Sequence, residues 1–151
     1  MEIKIIPPKD YIQVHQLRDY CFPNKYTGAR RDDFHYWIEN STTLGAFDEH
    51  KVVGQLLILP LNMIVHGAKY DMGGIGFVAS YPEYRQQGII KRLMIEALKK
   101  MLENGQVISV LAPFSVSFYR YFGWELFFEK LHYTIPQMMF PSFGKQFDVV
   151  E

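Results

Sequence analysis

Arg85, Gly88 and Lys91 follow one another at three-residue intervals, directly after a β-forming run and Pro82. Residues 89–103 behind them carry a helical pattern. Ile90, Leu93, Met94, Ala97, Leu98 and Met101 recur at i, i+3, i+4, i+7, i+8 and i+11 and make one apolar stripe. Lys91, Arg92, Glu96, Lys99 and Lys100 lie mostly off it, and Asn104-Gly105 supplies a stop. A helix start of this kind can hold an anion. Its first N–H groups have no intrahelical partner, and the macrodipole places partial positive charge there. Gly88 has no Cβ, so an anion can approach the backbone closely, and Arg85 and Lys91 add formal charge. The alternative is an ordinary helix start with a glycine in its first turn.

Other constellations are weaker or absent. His35 and Glu39 stand at i, i+4 on a short helical stretch, either as a base with its partner or as an exposed helix pair. The run Gly74-Ile75-Gly76-Phe77-Val78-Ala79 spells Gly-x-Gly-x-x-Ala, but it lies inside a strand and runs into Tyr81-Pro82 instead of opening a helix. No P-loop and no Gly-x-Ser-x-Gly elbow is present. His15, His35, His50, His66 and His132 show no metal-ligand spacing, and Cys21 has no cysteine partner.

The elements that must position these residues follow from pattern and punctuation. Glu2 to Ile6 reads as a strand, and Pro8 to Phe22 as a helix. Asp32 to Glu39 reads as a second helix with Phe34, Trp37 and Ile38 inward. Thr43 to Asp48 and Lys51 to Val65 read as antiparallel strands joined at Glu49-His50. Pro60 inside the longer one requires an edge position or a bulge. Lys69 to Ser80 is the next strand, entered at His66-Gly67. After the long helix come a strand from Gln106 to Ala112, a short helix from Ser115 to Phe122 closed by Gly123, and a final strand from Glu125 to Ile135. The order is β-α-α-β-β-β-α-β-α-β, an α/β chain with a mixed sheet.

With 151 residues the chain supports one domain with a full core. Sixteen basic residues balance sixteen acidic ones, which argues against a dedicated nucleic-acid binder. One cysteine excludes an internal disulfide and suits a reducing cytoplasm. The first residues are too short an apolar run for a signal peptide, and no run approaches membrane-spanning length.

The segment Arg85-Gln86-Gln87-Gly88-Ile89-Ile90 after Phe77-Val78-Ala79-Ser80 resembles the coenzyme-A motif of the GNAT N-acetyltransferases, usually Gln/Arg-x-x-Gly-x-Gly/Ala. Ile90 departs from the small residue that is usual there. In that departure, and in Tyr119-Arg120-Tyr121-Phe122-Gly123-Trp124, the chain resembles the N-terminal GNAT domain of the Eis-like branch, whose members are much longer.

The resemblance implies a GNAT-like mixed central sheet whose fourth and fifth strands splay to admit acetyl-CoA. It implies that the backbone of Phe77, Val78 and Ala79, with Ser80 beside them, bonds the pantetheine arm. The pyrophosphate would lie on Arg85, Gln86, Gln87, Gly88, Ile89, Ile90 and Lys91. Phe114 and Ser115 would wall the cofactor, though Ser115 is equally the natural N-cap of the short helix. Tyr119 falls where the family has its catalytic tyrosine. A neutral phenol, with an ordinary pKa of about 10, can protonate a leaving thiolate. No metal is implied.

The implied reaction is acetyl transfer to a primary amine of an aminoglycoside, a polyamine or a lysine. The alternative is a cofactor-binding module that is inert alone, because Eis-like enzymes bring a terminal carboxylate from a further C-terminal domain. On this reading residues 1–135 form the GNAT domain. Residues 136–151, with Met138, Met139, Phe140 and Phe143, form an apolar tail that leads toward that region, docks back on the domain's own core or mediates self-association.

Overall fold

The computed structural model describes residues 1–129 and 131–139. Five strands lie in the order β1-β2-β3-β4-β5. They are Glu2–Ile5, Thr42–Asp48, Lys51–Val65, Ala68–Ser80 and Ile108–Leu111. All neighbours are antiparallel except β4 and β5, whose parallel pairing requires the crossover helix α3, Ile89–Glu103. Helices α1 (Tyr11–Cys21) and α2 (Ala29–Glu39) follow β1, and the short α4 (Val116–Arg120) follows β5. This is the expected α/β architecture and element order as far as α4.

The sheet is buried on both faces, so its central strands are nearly continuous apolar runs. Leu56 and Ile58 pack with Ile89, Leu93, Met94, Ala97 and Met101 of α3. Leu57, between them in sequence, packs the other way with Val14 and Leu17 of α1 and Phe34 and Ile38 of α2. Helix α3 lies so close to the sheet that a Cβ on Gly54 would stand 2.7 Å from the Ile89 side chain. The buried line on α3 is rotated from the expected stripe: Ile89 is fully inside, Ile90 is half-buried and Leu98 is exposed. Steps of four residues connect Ile89, Leu93, Ala97 and Met101, and that line faces the sheet.

Pro60 sits on β3 opposite Gly73, but β2 pairs with β3 only as far as Ile58. One side of Pro60 is therefore locally an edge, which accommodates the missing N–H. The β3–β4 turn places His66 at φ 49° and Gly67 at φ 81°, both left-handed, as two-residue hairpin turns prefer.

Among the described residues the expected last strand, Glu125 to Ile135, is not formed. Residues 125–129 and 131–135 have no strand pairing, and Leu126, Phe127, Phe128, Leu131, Tyr133 and Ile135 are exposed. Alternating side chains do not make a strand without a ladder partner. The described end of the tail, Gln137–Met139, is a 3-10 turn with Met138 and Met139 exposed. Phe140 and Phe143 lie outside the described residues. Among the described residues, no helix is long and apolar enough to cross a membrane, and no cluster of His, Cys, Asp and Glu could hold a metal ion.

Candidate active site

Between β4 and α3 the chain makes a 3-10 turn, Pro82–Tyr84, followed by two left-handed residues, Gln86 at φ 62° and Gly88 at φ 70°. Tyr84 anchors this connection through a 2.9 Å hydrogen bond from its hydroxyl to Asp48, and Gln87 donates to the Glu83 carbonyl at 3.3 Å. Gly88 is the N-cap of α3, and no side chain caps the helix. The Arg92 N–H is the first to bond back, to the Gly88 carbonyl at 3.0 Å. The N–H groups of Ile89, Ile90 and Lys91 precede that first bond. A Cβ on Gly88 would meet nothing within 4 Å. Conformation and the open approach to the backbone, not crowding by the protein, favour glycine there. The side chains of Arg85, Gln86, Gln87 and Lys91 are exposed around it.

The same β4 offers a free edge. Its ladder to β5 runs from Met72↔Ile108 to Ile75↔Leu111 and stops, while β4 continues to Ser80. On the other side it stays bonded to β3 through Gln55↔Ala79 and Gly54↔Ser80. Between Leu57↔Gly76 and Gln55↔Ala79, β4 takes one residue more than β3. This bulge puts Phe77 at φ 53°. Val78 turns toward the α3-side core, Ala79 toward the α1-side core, and the Ser80 carbonyl accepts the Cys21 thiol at 3.4 Å.

Tyr119 is 6% exposed and belongs to the same α3-side core against which Val78 packs. The rings of Phe114 and Phe118 stand edge-on to it at 5.6 and 5.1 Å. Burial pushes its phenol above the ordinary value of 10.0, so it remains protonated through neutral pH. Tyr121 is 73% exposed and offers no comparable environment. Ser115 caps α4 by accepting the Phe118 N–H at 3.3 Å. Phe114 stands out into solvent. Trp124 Nε1 donates to Ser109 Oγ at 3.1 Å, and Arg120 grips Glu125 through two bonds of 2.6 and 2.8 Å. These contacts tie the α4 segment to β5.

Tyr26, Arg30, Asp33, Phe34, Trp37 and the bulge residue Phe77 enclose a hollow of about 270 Å³ on the α1–α2 side of the sheet. Trp37 is 39% exposed, not inward as expected. Phe34 and Ile38 take the buried face of α2, and Trp37 turns to the hollow's wall. The loop before α2 is braced from behind: Arg18 stacks on the Tyr26 ring 3.2 Å from its centroid, bonds the Asn24 carbonyl and pairs with Asp19. Sequence reasoning missed this hollow. The aromatic residues of 26–37 were visible, but nothing local joins them to Phe77. His35 and Glu39 do not face it; their contact, 3.5 Å, lies on another face of α2.

Residues 2–127 match the model of the acetyltransferase (GNAT) domain. The chain belongs to the GNAT acetyltransferase family. A conserved protein of unknown function from Enterococcus faecalis V583, described as a probable N-acyltransferase, is 33% identical over 81% of this chain, with a TM-score of 0.77. A GCN5-related N-acetyltransferase from Kribbella flavida is 28% identical over 81% of this chain, with a TM-score of 0.72. This GNAT chain spans about a third of both proteins, 31% and 32% of their lengths. AAC(6')-Iy, solved with the bisubstrate analogue CoA-S-monomethyl-acetylneamine, shares the fold, with a TM-score of 0.72 over 89% of this chain and 97% of its own, at 15% identity. No curated protein matches the chain.

Proposed function

We propose that this GNAT domain transfers acetyl from acetyl-CoA to a primary amine of an aminoglycoside, a polyamine or a lysine side chain, in an Eis-like setting. The observation that carries the reading is the β5-side edge of β4 from Gly76 to Ser80, which has no ladder partner among the described residues and leads through residues 81–88 to the uncapped start of α3. An extended amide-bearing arm adds to such an edge as another strand would. The pyrophosphate then lies over the N–H groups from Gln86 to Lys91, beside Arg85. In this arrangement the thioester is held near the bulge at Phe77 and Val78, where a backbone N–H stabilises the charge that develops on the carbonyl oxygen.

The acceptor occupies the hollow of Tyr26, Phe34, Trp37 and Phe77. Aromatic faces attract a cationic amine, and Asp33 complements its charge. Water takes the ammonium proton, the neutral amine nitrogen bonds to the acetyl carbon and releases a second proton to water, and the carbon–sulfur bond breaks. Tyr119 gives its hydroxyl proton to the departing thiolate and is reprotonated from solvent. Phe114 flanks the thiol side, and Ser115 acts through the cap that orients α4.

A second reading has a specific observation behind it: the chain spans about a third of its similar relatives' length. On that reading this unit binds acetyl-CoA, and turnover needs a group from elsewhere. Free-thiol release from acetyl-CoA, measured with purified protein and a panel of polyamines, aminoglycosides and lysine peptides, separates the two. Amine-dependent release supports catalysis by this unit. Tight acetyl-CoA binding with no release by any amine supports the binding module, and no binding at all overturns both.

A further inference from the structure

Two histidines from different helices meet on another face of α2 from the aromatic hollow. His15 Nε2 of α1 and His35 Nδ1 of α2 lie 3.1 Å apart, with rings inclined by 21° and centroids 5.4 Å apart. The second nitrogen of His35 faces Glu39 at 3.5 Å. His15 is 6% exposed and stands edge-on to Phe34 at 5.1 Å. Lys9, Tyr11, Arg31 and Asp32 line the cavity of about 470 Å³ onto which both imidazoles open.

Proton counting makes this contact conditional. A hydrogen bond between two ring nitrogens needs a proton on one and a lone pair on the other. Two neutral rings satisfy that, and so does one neutral ring with one imidazolium. Two imidazolium rings do not, because N–H then faces N–H, with the Arg31 charge close by. The remaining anchors of α2 are Phe34, Ile38 and the bond of 3.3 Å from the Thr43 hydroxyl to the Ile38 carbonyl. We infer that the His15–His35 pair is a pH-sensitive latch that holds α2 on α1 at neutral pH and releases it when the second imidazole takes a proton.

The surroundings set its direction. Burial, foremost, and then Arg31, His35 and Arg18 hold His15 below its ordinary value of 6.5, against an opposing influence from Asp19. Glu39 and Asp32 from α2 and Lys9 from the preceding turn complete the charged groups around the pair. A base whose pKa is lowered in the docked state contributes docking stability above its free value. That stability begins to be lost as pH falls below the free value of about 6.5 and continues to be lost through the lowered docked value. Helix α2 also carries Arg30, Asp33, Phe34 and Trp37, so the acceptor hollow inherits the latch; this consequence rests on the proposed role of the hollow.

Hydrogen exchange on the whole chain at about pH 7.5 and about pH 5.5, corrected for chemical exchange, tests the latch without any acceptor present. Protection of residues 29–39 relative to 89–103 is expected to fall about fivefold at the lower pH, the change that loss of one hydrogen bond produces. In His35→Asn, which keeps an acceptor near the same place for either protonation state of His15, only the buried His15 still responds to pH, and the ratio is expected to fall less than in the wild type. A constant ratio in the wild type, or the same fall in His35→Asn, overturns the inference. Histidine nitrogen shifts in the wild-type protein provide a reading that needs no variant: two linked protonation steps support the latch, and two independent ones at the ordinary value overturn it.

Discussion

The two faces of the sheet offer different groups to a ligand. On the α3 face the proposed cofactor contacts are backbone groups: the β4 edge past Ile75 and the N–H groups after Gly88. On the α1–α2 face the hollow is built from side chains, four aromatic rings with Arg30 and Asp33. Backbone recognition constrains few residue types but constrains their spacing, because glycine must stand where the helix begins. Side-chain recognition constrains residue types at positions that only the fold brings together. The first can therefore be shared across a family while the second is free to set the acceptor.

Substitutions can break or sharpen this division. The largest expected effect comes from Tyr119→Phe, which keeps the ring in its core and removes the proton. The rate of acetyl transfer should fall by about 10²–10⁴-fold while acetyl-CoA affinity stays near wild type. Unchanged turnover would remove Tyr119 from the chemistry. Its elevated pKa carries a pH expectation: the phenol stays protonated until above pH 10, so loss of that acid should not limit the rate below it. An alkaline limb near neutrality that disappears in Tyr119→Phe would contradict this. A smaller change is expected for Trp37→Ala. A cation–π contact of about 0.5–2 kcal/mol corresponds to roughly 2–30-fold in apparent acceptor affinity, with cofactor affinity untouched. Titrating each ligand separately checks which face responds. The smallest effect is expected for Ser115→Ala, about 1 kcal/mol of stability through loss of the α4 cap, read as a lower thermal midpoint with acetyl-CoA affinity unchanged.

The same contrast explains what could be read without the structure. The path from β4 to α3 was legible because glycine, proline and apolar period mark it within one continuous stretch. Even there the buried line on α3 was displaced by one position at Ile89, since a stripe on a helix shows which residues cluster but not which way the cluster turns. The splay between β4 and β5 came from family resemblance. No residue pattern marks where a ladder ends beyond Pro113. The bulge at Phe77 was invisible, because it arises from register against β3. The apolarity of Trp37 suggests an inward position, whereas Phe34 and Ile38 already fill that face. Residues 125–135 alternate like a strand, yet no partner pairs with their described part. In each case the missing information was non-local.

In the proposed arrangement the start of α3 holds the cofactor's pyrophosphate on backbone N–H groups. Gly88 sits at φ 70° and its missing Cβ faces open space, so asparagine and aspartate, which tolerate that conformation best, can both be placed there. A carboxylate at a helix N-terminus favours the helix itself, so Gly88→Asp should fold at least as well as Gly88→Asn. Calorimetric titration of acetyl-CoA into the wild type and both folded variants isolates the charge from the shape. Affinity is expected to fall modestly in Gly88→Asn and at least about tenfold further in Gly88→Asp, with the gap closing as salt is raised. Equal affinities for the two variants would contradict an anion at this site.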